Sequence, residues 1–142
     1  MEKSFEQKFN DLKNYLKNLE YINSSIALLQ WDTMVNMPKD AIKYRSEMLG
    51  YLSGESYKLS TSEKIKEFIQ YFSGVSDLDD IAKATIANIK REYDRTKKIP
   101  ANEYKEYVMA GSVSGKAWEE AKEKSDFKIF QPHLEKMVEY NQ

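Results

Sequence analysis

The chain has 142 residues, 22 of them basic and 23 acidic, and a formal net charge of -1; this is enough length for one domain and leaves no uniform field to hold nucleic acid or an anionic membrane. With no cysteine and a single histidine, His133, disulfides, thiolate nucleophiles, thiolate metal sites and any site made of two imidazoles of one chain are excluded. Hydrophobic residues at 41% and charged residues at 32% suit a folded core under a charged surface rather than a disordered tail.

The opening Met1-Glu2-Lys3-Ser4-Phe5-Glu6 meets charge before any apolar core develops, unlike a secretory signal. Apolar runs such as Ile26-Ala27-Leu28-Leu29 fall far short of the roughly 20 residues that cross a bilayer. A cytoplasmic location is the resulting expectation, with neither nucleic acid nor membrane as partner.

In the first segment Phe5, Phe9, Leu12, Leu16, Leu19, Ile22, Ile26 and Leu29 recur at steps of 4, 3, 4, 3, 3, 4 and 3, a single stripe on a long α-helix. A mean step near 3.5 marks helices packed side by side with slight left-handed coiling, so an antiparallel neighbour is expected. Met37-Pro38 closes the segment or opens the next, because proline disfavours helical geometry in the residue before it and suits the first turn of a following helix. A second helix is predicted over residues 39–51, turning Ile42, Arg45, Met48, Leu49 and Leu52 to one side, with Gly50 and Gly54 weakening its end. The Ser60 and Glu63 spacing is that of a capping box, ahead of a third helix with Ile65, Phe68, Ile69 and Phe72 inward. Gly74 stops it. Ser76-Asp77 and Asp79-Asp80 open a fourth, whose face is read as Leu78, Ile81, Ala82, Thr85, Ile89 and Tyr93.

Pro100 starts a fifth helix to about Lys124, with Tyr104, Val108, Gly111, Gly115, Trp118 and Ala121 as packing positions. Asp126 and Pro132 bracket a turn with Phe127 and Phe130. A last amphipathic stretch carries Leu134, Met137, Val138 and Asn141 to Gln142 without a stop signal. No stretch alternates with the period of a strand. The expected fold is all-α, a bundle of about five to six helices with a long amino-terminal helix.

Motifs that could carry chemistry each have a plainer reading. His133 lacks a second ligand three or four positions away, where Ile129, Phe130, Lys136 and Met137 stand, so it reads as a solvated or packing histidine near a helix start. Gly111-Ser112-Val113-Ser114-Gly115-Lys116-Ala117 resembles a phosphate loop but has three residues between its glycines and alanine in the magnesium-ligand position; close helix packing at Gly111 and Gly115 is the expectation. Glu119-Glu120 and Asp79-Asp80 read as solvated carboxylates, and Lys90-Arg91 with Arg95, Lys97 and Lys98, interrupted by Glu92 and Asp94, as a helix end with internal ion pairs. Trp31-Asp32 reads as a fixed corner: Asp32 caps or pairs within the turn, with Arg45 as a candidate partner, while Trp31 fills the core.

Leu28-Leu29-Gln30-Trp31-Asp32-Thr33-Met34-Val35-Asn36-Met37-Pro38, with Arg45 seven positions later, resembles the amino-terminal signature of the carboxypeptidase Taq family of metallocarboxypeptidases. Arg91-Glu92-Tyr93-Asp94-Arg95 leading to Ile99-Pro100, and Ala117-Trp118-Glu119-Glu120-Ala121 with Asp126-Phe127, Phe130, Pro132 and Leu134-Glu135, are similar to later segments of the family in the same order, so the resemblance spans residues 26–142. Lys39, Asp40 and Ala41 stand where members often have glycine, and the stretch around Gly111 and Gly115 is unusually glycine-rich.

The resemblance implies a larger helical fold with a deep groove, removal of single residues from peptide carboxyl ends, and zinc or cobalt held by an H-E-x-x-H helix and a further glutamate. None of those motifs is present here. Residues 1–142 are therefore expected to be an amino-terminal helical region without the catalytic body, forming groove wall or cover. No catalytic, cofactor-binding or metal residue is assigned in them, and the chain alone is expected to be inactive. Its expected partners are the missing carboxyl-terminal catalytic region and, through exposed apolar faces, a second copy as a homodimer; in the whole protein the substrate is a peptide. The alternative is a stand-alone helical interaction module without enzyme activity.

Overall fold

The computed structural model describes residues 4–141. Met1-Glu2-Lys3 and Gln142, on which the readings of the opening and of the final helix partly rest, lie outside the described residues. Within them run α1 (Phe5–Val35), α2 (Ile42–Ser60), α3 (Glu63–Ser73), α4 (Asp80–Thr96), α5 (Ala101–Lys124) and α6 (Gln131–Glu139), with 3-10 turns at Lys39–Ala41 and Phe127–Ile129 and no strand. None of these helices is long and apolar enough to cross a membrane.

The predicted stripe holds α1 in place. Leu12 is fully enclosed, Phe9, Leu16, Leu19, Ile22, Ile26 and Leu29 are partly buried, and Phe5 at the end is exposed. Ser4 caps this helix through a reciprocal pair, its hydroxyl accepting from Gln7 N–H while the Gln7 side chain accepts from Ser4 N–H.

The amino-terminal half of α1 packs on α3 and α4 around Leu12, Phe68, Phe72, Leu78, Ala82 and Ile86, with Ile65, Ile69 and Tyr93 continuing the same core. The inward face of α4 runs through positions 82, 86, 89 and 93, with Leu78 buried just ahead of the helix; Ile81, read as inward, is 78% exposed, and Ile86 replaces it. Steps of four and three through Ile86 place it in line with Ala82 and Tyr93, whereas Ile81 lies about 100° round from Ala82.

α2 lies antiparallel to α1, shown by three cross-links in reversed order: Arg45 to Asp32 at 2.6 Å, Ser56 to Asn23 at 2.8 Å and the Tyr15 hydroxyl to the Leu59 carbonyl at 2.9 Å. The Tyr15 oxygen also lies 2.8 Å from Ser62 Oγ. Its one proton is given to Leu59, so Ser62 supplies the proton of the second bond while accepting from Ile65 N–H as the true cap of α3. The capping box expected at Ser60 does not form: the cap lies two residues on, at Ser62, as a single bond with Ile65 at the position a returning Glu or Gln would need, and Ser60 is still helical and bonds back to the Tyr57 carbonyl.

Neither Gly50 nor Gly54 ends α2, which continues to Ser60. Ser46, Gly50 and Ser53 form a buried strip of small residues on α2, and α5 runs antiparallel to it, with Ser46 near Val113, Gly50 at Met109 and Tyr57 at Tyr104. A Cβ at Gly50 would stand 2.5 Å from Met109 Cγ and 2.7 Å from its Sδ, so the glycine permits the close approach. The close contact expected at Gly111 and Gly115 is absent: a Cβ at Gly111 would meet only the Met137 methyl at 3.9 Å, and one at Gly115 nothing within 4 Å.

Gly50→Leu is accordingly expected to destabilise the chain by about 1–3 kcal/mol through overpacking. Gly54→Ala, open to 4 Å on every side, should stabilise it by about 0.5–1 kcal/mol through helix propensity. Urea midpoints of the two variants must move in opposite directions.

α5 ends at Ser125, whose φ of 51° is left-handed; Asp126 N–H reaches back to the Ala121 carbonyl at 2.9 Å and Ser125 N–H to Lys122 at 3.2 Å. Left-handed geometry at this position satisfies the last carbonyls, a place glycine usually takes. The final helix also stops within the described residues. α6 ends at Glu139, and Asn141, read as a packing position, instead donates its side-chain amide to the Met137 carbonyl at 2.7 Å.

Candidate functional site

The corner between α1 and α2 is built around Arg45. Its Nη2 donates to Asp32 Oδ2 at 2.6 Å, and Nη1 donates to the Leu29 carbonyl at 2.8 Å and to Thr33 Oγ1 at 3.1 Å. Thr33 in turn donates to the Leu29 carbonyl at 2.7 Å. One planar guanidinium therefore ties down the last turns of α1 through three acceptors, while Asp32 also offers its carbonyl to the N–H groups of Asn36 and Met37, each at 2.9 Å. The Asp32–Arg45 pairing read from the sequence is present. Trp31 does not fill the core: it is 56% exposed, because the stripe that packs on α2 passes through Leu29 and Thr33, and residue 31 projects away from it.

Beside this corner a groove of about 520 Å³ opens between α1, α5 and α6. Gln30, Thr33 and Met34 line it from α1, Leu49 from α2, Gly111, Ser112, Gly115 and Trp118 from α5, and Met137 from α6. Gly111 and Gly115 thus widen a groove instead of admitting a helix. Ser112 Oγ is buried without a hydrogen-bond partner. Lys116, a cation of the groove lining, is bonded to Glu119 at 2.7 Å, leaving the lining close to neutral.

The other candidate motifs fall apart in space. Gly111-Ser112-Val113-Ser114-Gly115-Lys116-Ala117 is continuous helix within α5, with no loop to cradle a phosphate. Glu120 is bonded to Lys124, which holds its carboxyl below the usual carboxylate range, and Glu119 to Lys116. Asp79 caps α4 by accepting from Ala82 N–H at 2.7 Å. Arg91 donates to Asn88 and Lys97 to the Tyr93 hydroxyl, and Arg95 faces Glu92, so three of the five cations of the basic run are engaged locally.

His133 sits in the first turn of α6, half-buried near Ser46, Val113 and Lys136. Among the described residues no three histidine or carboxylate side chains converge as a metal ion requires. The residues present do not fit the metal that the resemblance implies. Met34, Tyr107 and Met137 were not singled out as groove residues by the sequence; no spacing rule marks a side chain that borders a gap.

Comparison with known proteins follows the same division. The pattern of the carboxypeptidase Taq (M32) metallopeptidase family matches residues 11–142. Carboxypeptidase 1 of Bacillus subtilis is 40% identical over 139 residues, covering 97% of this chain and 27% of the relative. Thermostable carboxypeptidase 1 of Pyrococcus furiosus is 32% identical over 117 residues, 82% of this chain and 23% of that protein. Among solved structures, the BsuCP crystal structure superposes with a TM-score of 0.90 at 38% identity over 95% of this chain and 27% of that one; the apo-Mg structure of Pyrococcus furiosus carboxypeptidase gives 0.72 at 28% identity over 94% and 27%. The chain spans about a quarter of the length of these relatives.

Proposed function

The chain belongs to the carboxypeptidase Taq (M32) family of metallopeptidases, and from that premise we propose that residues 1–142 are the amino-terminal scaffold of a longer metallocarboxypeptidase that removes single residues from peptide carboxyl ends in the cytoplasm. This part walls or covers the substrate groove. It holds neither the metal nor the catalytic base, and zinc or cobalt would be bound by residues outside it. A metallopeptidase of this kind needs imidazole and carboxylate ligands around an ion that polarises the scissile carbonyl. The observation that supports a scaffold role is a fold that superposes at 0.90 on a chain about three and a half times its length, built from a sequence with one histidine.

The purified chain is expected to release no carboxyl-terminal residue from peptides with zinc or cobalt supplied. Metal-dependent turnover that follows the chain through purification overturns the proposal. The genomic reading frame is the second check: continuation past Gln142 into an H-E-x-x-H helix agrees with it, and a native stop codon favours the stand-alone interaction module. Without its catalytic region the chain is expected to pair with itself through its uncovered apolar surface, and sedimentation over a range of concentrations reads this directly.

A further inference from the structure

We propose, on the reading that this chain is a scaffold for a longer peptidase, that the groove between α1, α5 and α6 and its apolar borders are the face on which the remainder of that peptidase packs. Met34 on α1 is 67% exposed, Trp118 on α5 is 47% exposed, and Val138 on α6 stands in solvent beside the groove residue Met137. Trp31 extends the band one turn from Met34, with Leu28 and Val35 exposed on the same side of the helix. Of the chain's two tryptophans, Trp118 lines the groove about half exposed and Trp31 continues the exposed band from Met34.

Large apolar side chains left together on several elements differ from singly scattered ones, which any surface has. Ile81, Phe127 and the α2 tyrosines Tyr44 and Tyr51 are exposed too, but the tyrosines carry hydroxyls that water satisfies, and on α2 they point opposite to the buried strip of Ser46, Gly50 and Ser53.

The chemistry of the lining selects the occupant. Lys116 is already neutralised by Glu119, so the groove has no free cation in its lining for a carboxylate, and its large side chains include the indole of Trp118 and the thioethers of Met34 and Met137, set among the smaller polar groups of Gln30, Thr33 and Ser112. A mostly apolar protein surface fits it. The rest of the peptidase has the length to supply one: the relatives carry this same fold within chains of which it is only 27%.

The test is a chimera in which this chain replaces the matching quarter of Bacillus subtilis carboxypeptidase 1. With the unsubstituted chain it is expected to unfold in one transition and to release carboxyl-terminal residues from peptides. Met34→Glu with Trp118→Glu should split or lower that transition and reduce activity by at least about tenfold, since each places a carboxylate in a buried apolar contact. Tyr44→Glu with Tyr51→Glu is the control and should leave both unchanged.

If the Met34 and Trp118 variant matches the unsubstituted chimera, the face is wrongly assigned. A chimera that is inactive even unsubstituted overturns the scaffold reading, and this inference with it. Should the same two substitutions dissociate a dimer of the isolated chain while leaving the chimera untouched, the face serves a second copy, and the proposal is likewise overturned.

Discussion

Phe72→Ala is expected to lower the unfolding free energy by about 3–5 kcal/mol, the range for deleting a buried aromatic side chain whose surroundings cannot collapse. Phe72 is 1% exposed and lies where α1, α3 and the start of α4 meet. Its ring is met edge-on by Phe5 at 5.8 Å, Phe9 at 5.7 Å and Tyr71 at 5.0 Å between centroids, geometry that adds to the area buried. Phe9 and Phe5 are held by α1, Leu78 and Ala82 by the approach to α4, and none can follow the missing ring inward without unseating its own helix. Domains have roughly 5–15 kcal/mol in total, so the variant would sit near its threshold. Urea unfolding with an unchanged slope is the measurement; a loss below about 1 kcal/mol would show that the core repacks. Ile81→Ala, one position from buried Ala82 but facing water, should stay within about 0.5 kcal/mol of the parent.

Arg45→Ala should cost about 2–3 kcal/mol, in the range of hydrogen bonds made by a charged group. The guanidinium side chain is 15% exposed and serves Asp32, Leu29 and Thr33 at once. Asp32 remains about a third exposed and can recover water, which keeps the loss below that of a fully buried pair. Arg45→Lys should restore only part, because an ammonium cannot present two nitrogens in one plane to acceptors on successive residues. A double-mutant cycle with Asp32→Asn isolates the pair. Coupling indistinguishable from zero would mean that the corner is held by the Leu29 and Thr33 contacts alone.

The Asp32–Arg45 contact was legible because opposite charges flanked a proline turn, and few partners could reach either of them. The outward position of the neighbouring Trp31 was not legible. A large aromatic residue reads as core wherever it falls, yet on the last turns of α1 two apolar stripes lie side by side. Packing on α2 takes the one through Leu29 and Thr33 and leaves the other, Leu28, Trp31 and Val35, in solvent. Glycines misled for a related reason. Gly50, Gly111 and Gly115 look alike in one dimension, and only the approach of Met109 separates the first from the others.

From residue order alone came the all-helical class, the long first helix, the starts of the helices after Met37-Pro38, Gly74 and Pro100, and the family. These follow from local rules, the spacing of apolar residues along a helix, the refusal of proline to continue one and the stop at Gly74, together with the order of the family's motifs. Tertiary structure decided which apolar faces are covered, that α2 runs past both of its glycines, that Ser62 rather than Ser60 caps α3, and that α1, α5 and α6 leave a groove. Those outcomes depend on residues 40 or more positions apart meeting in space, as Tyr15 meets Leu59 and Gly50 meets Met109. Periodicity reports that a face is apolar; the geometry of its neighbours determines whether anything lies against it.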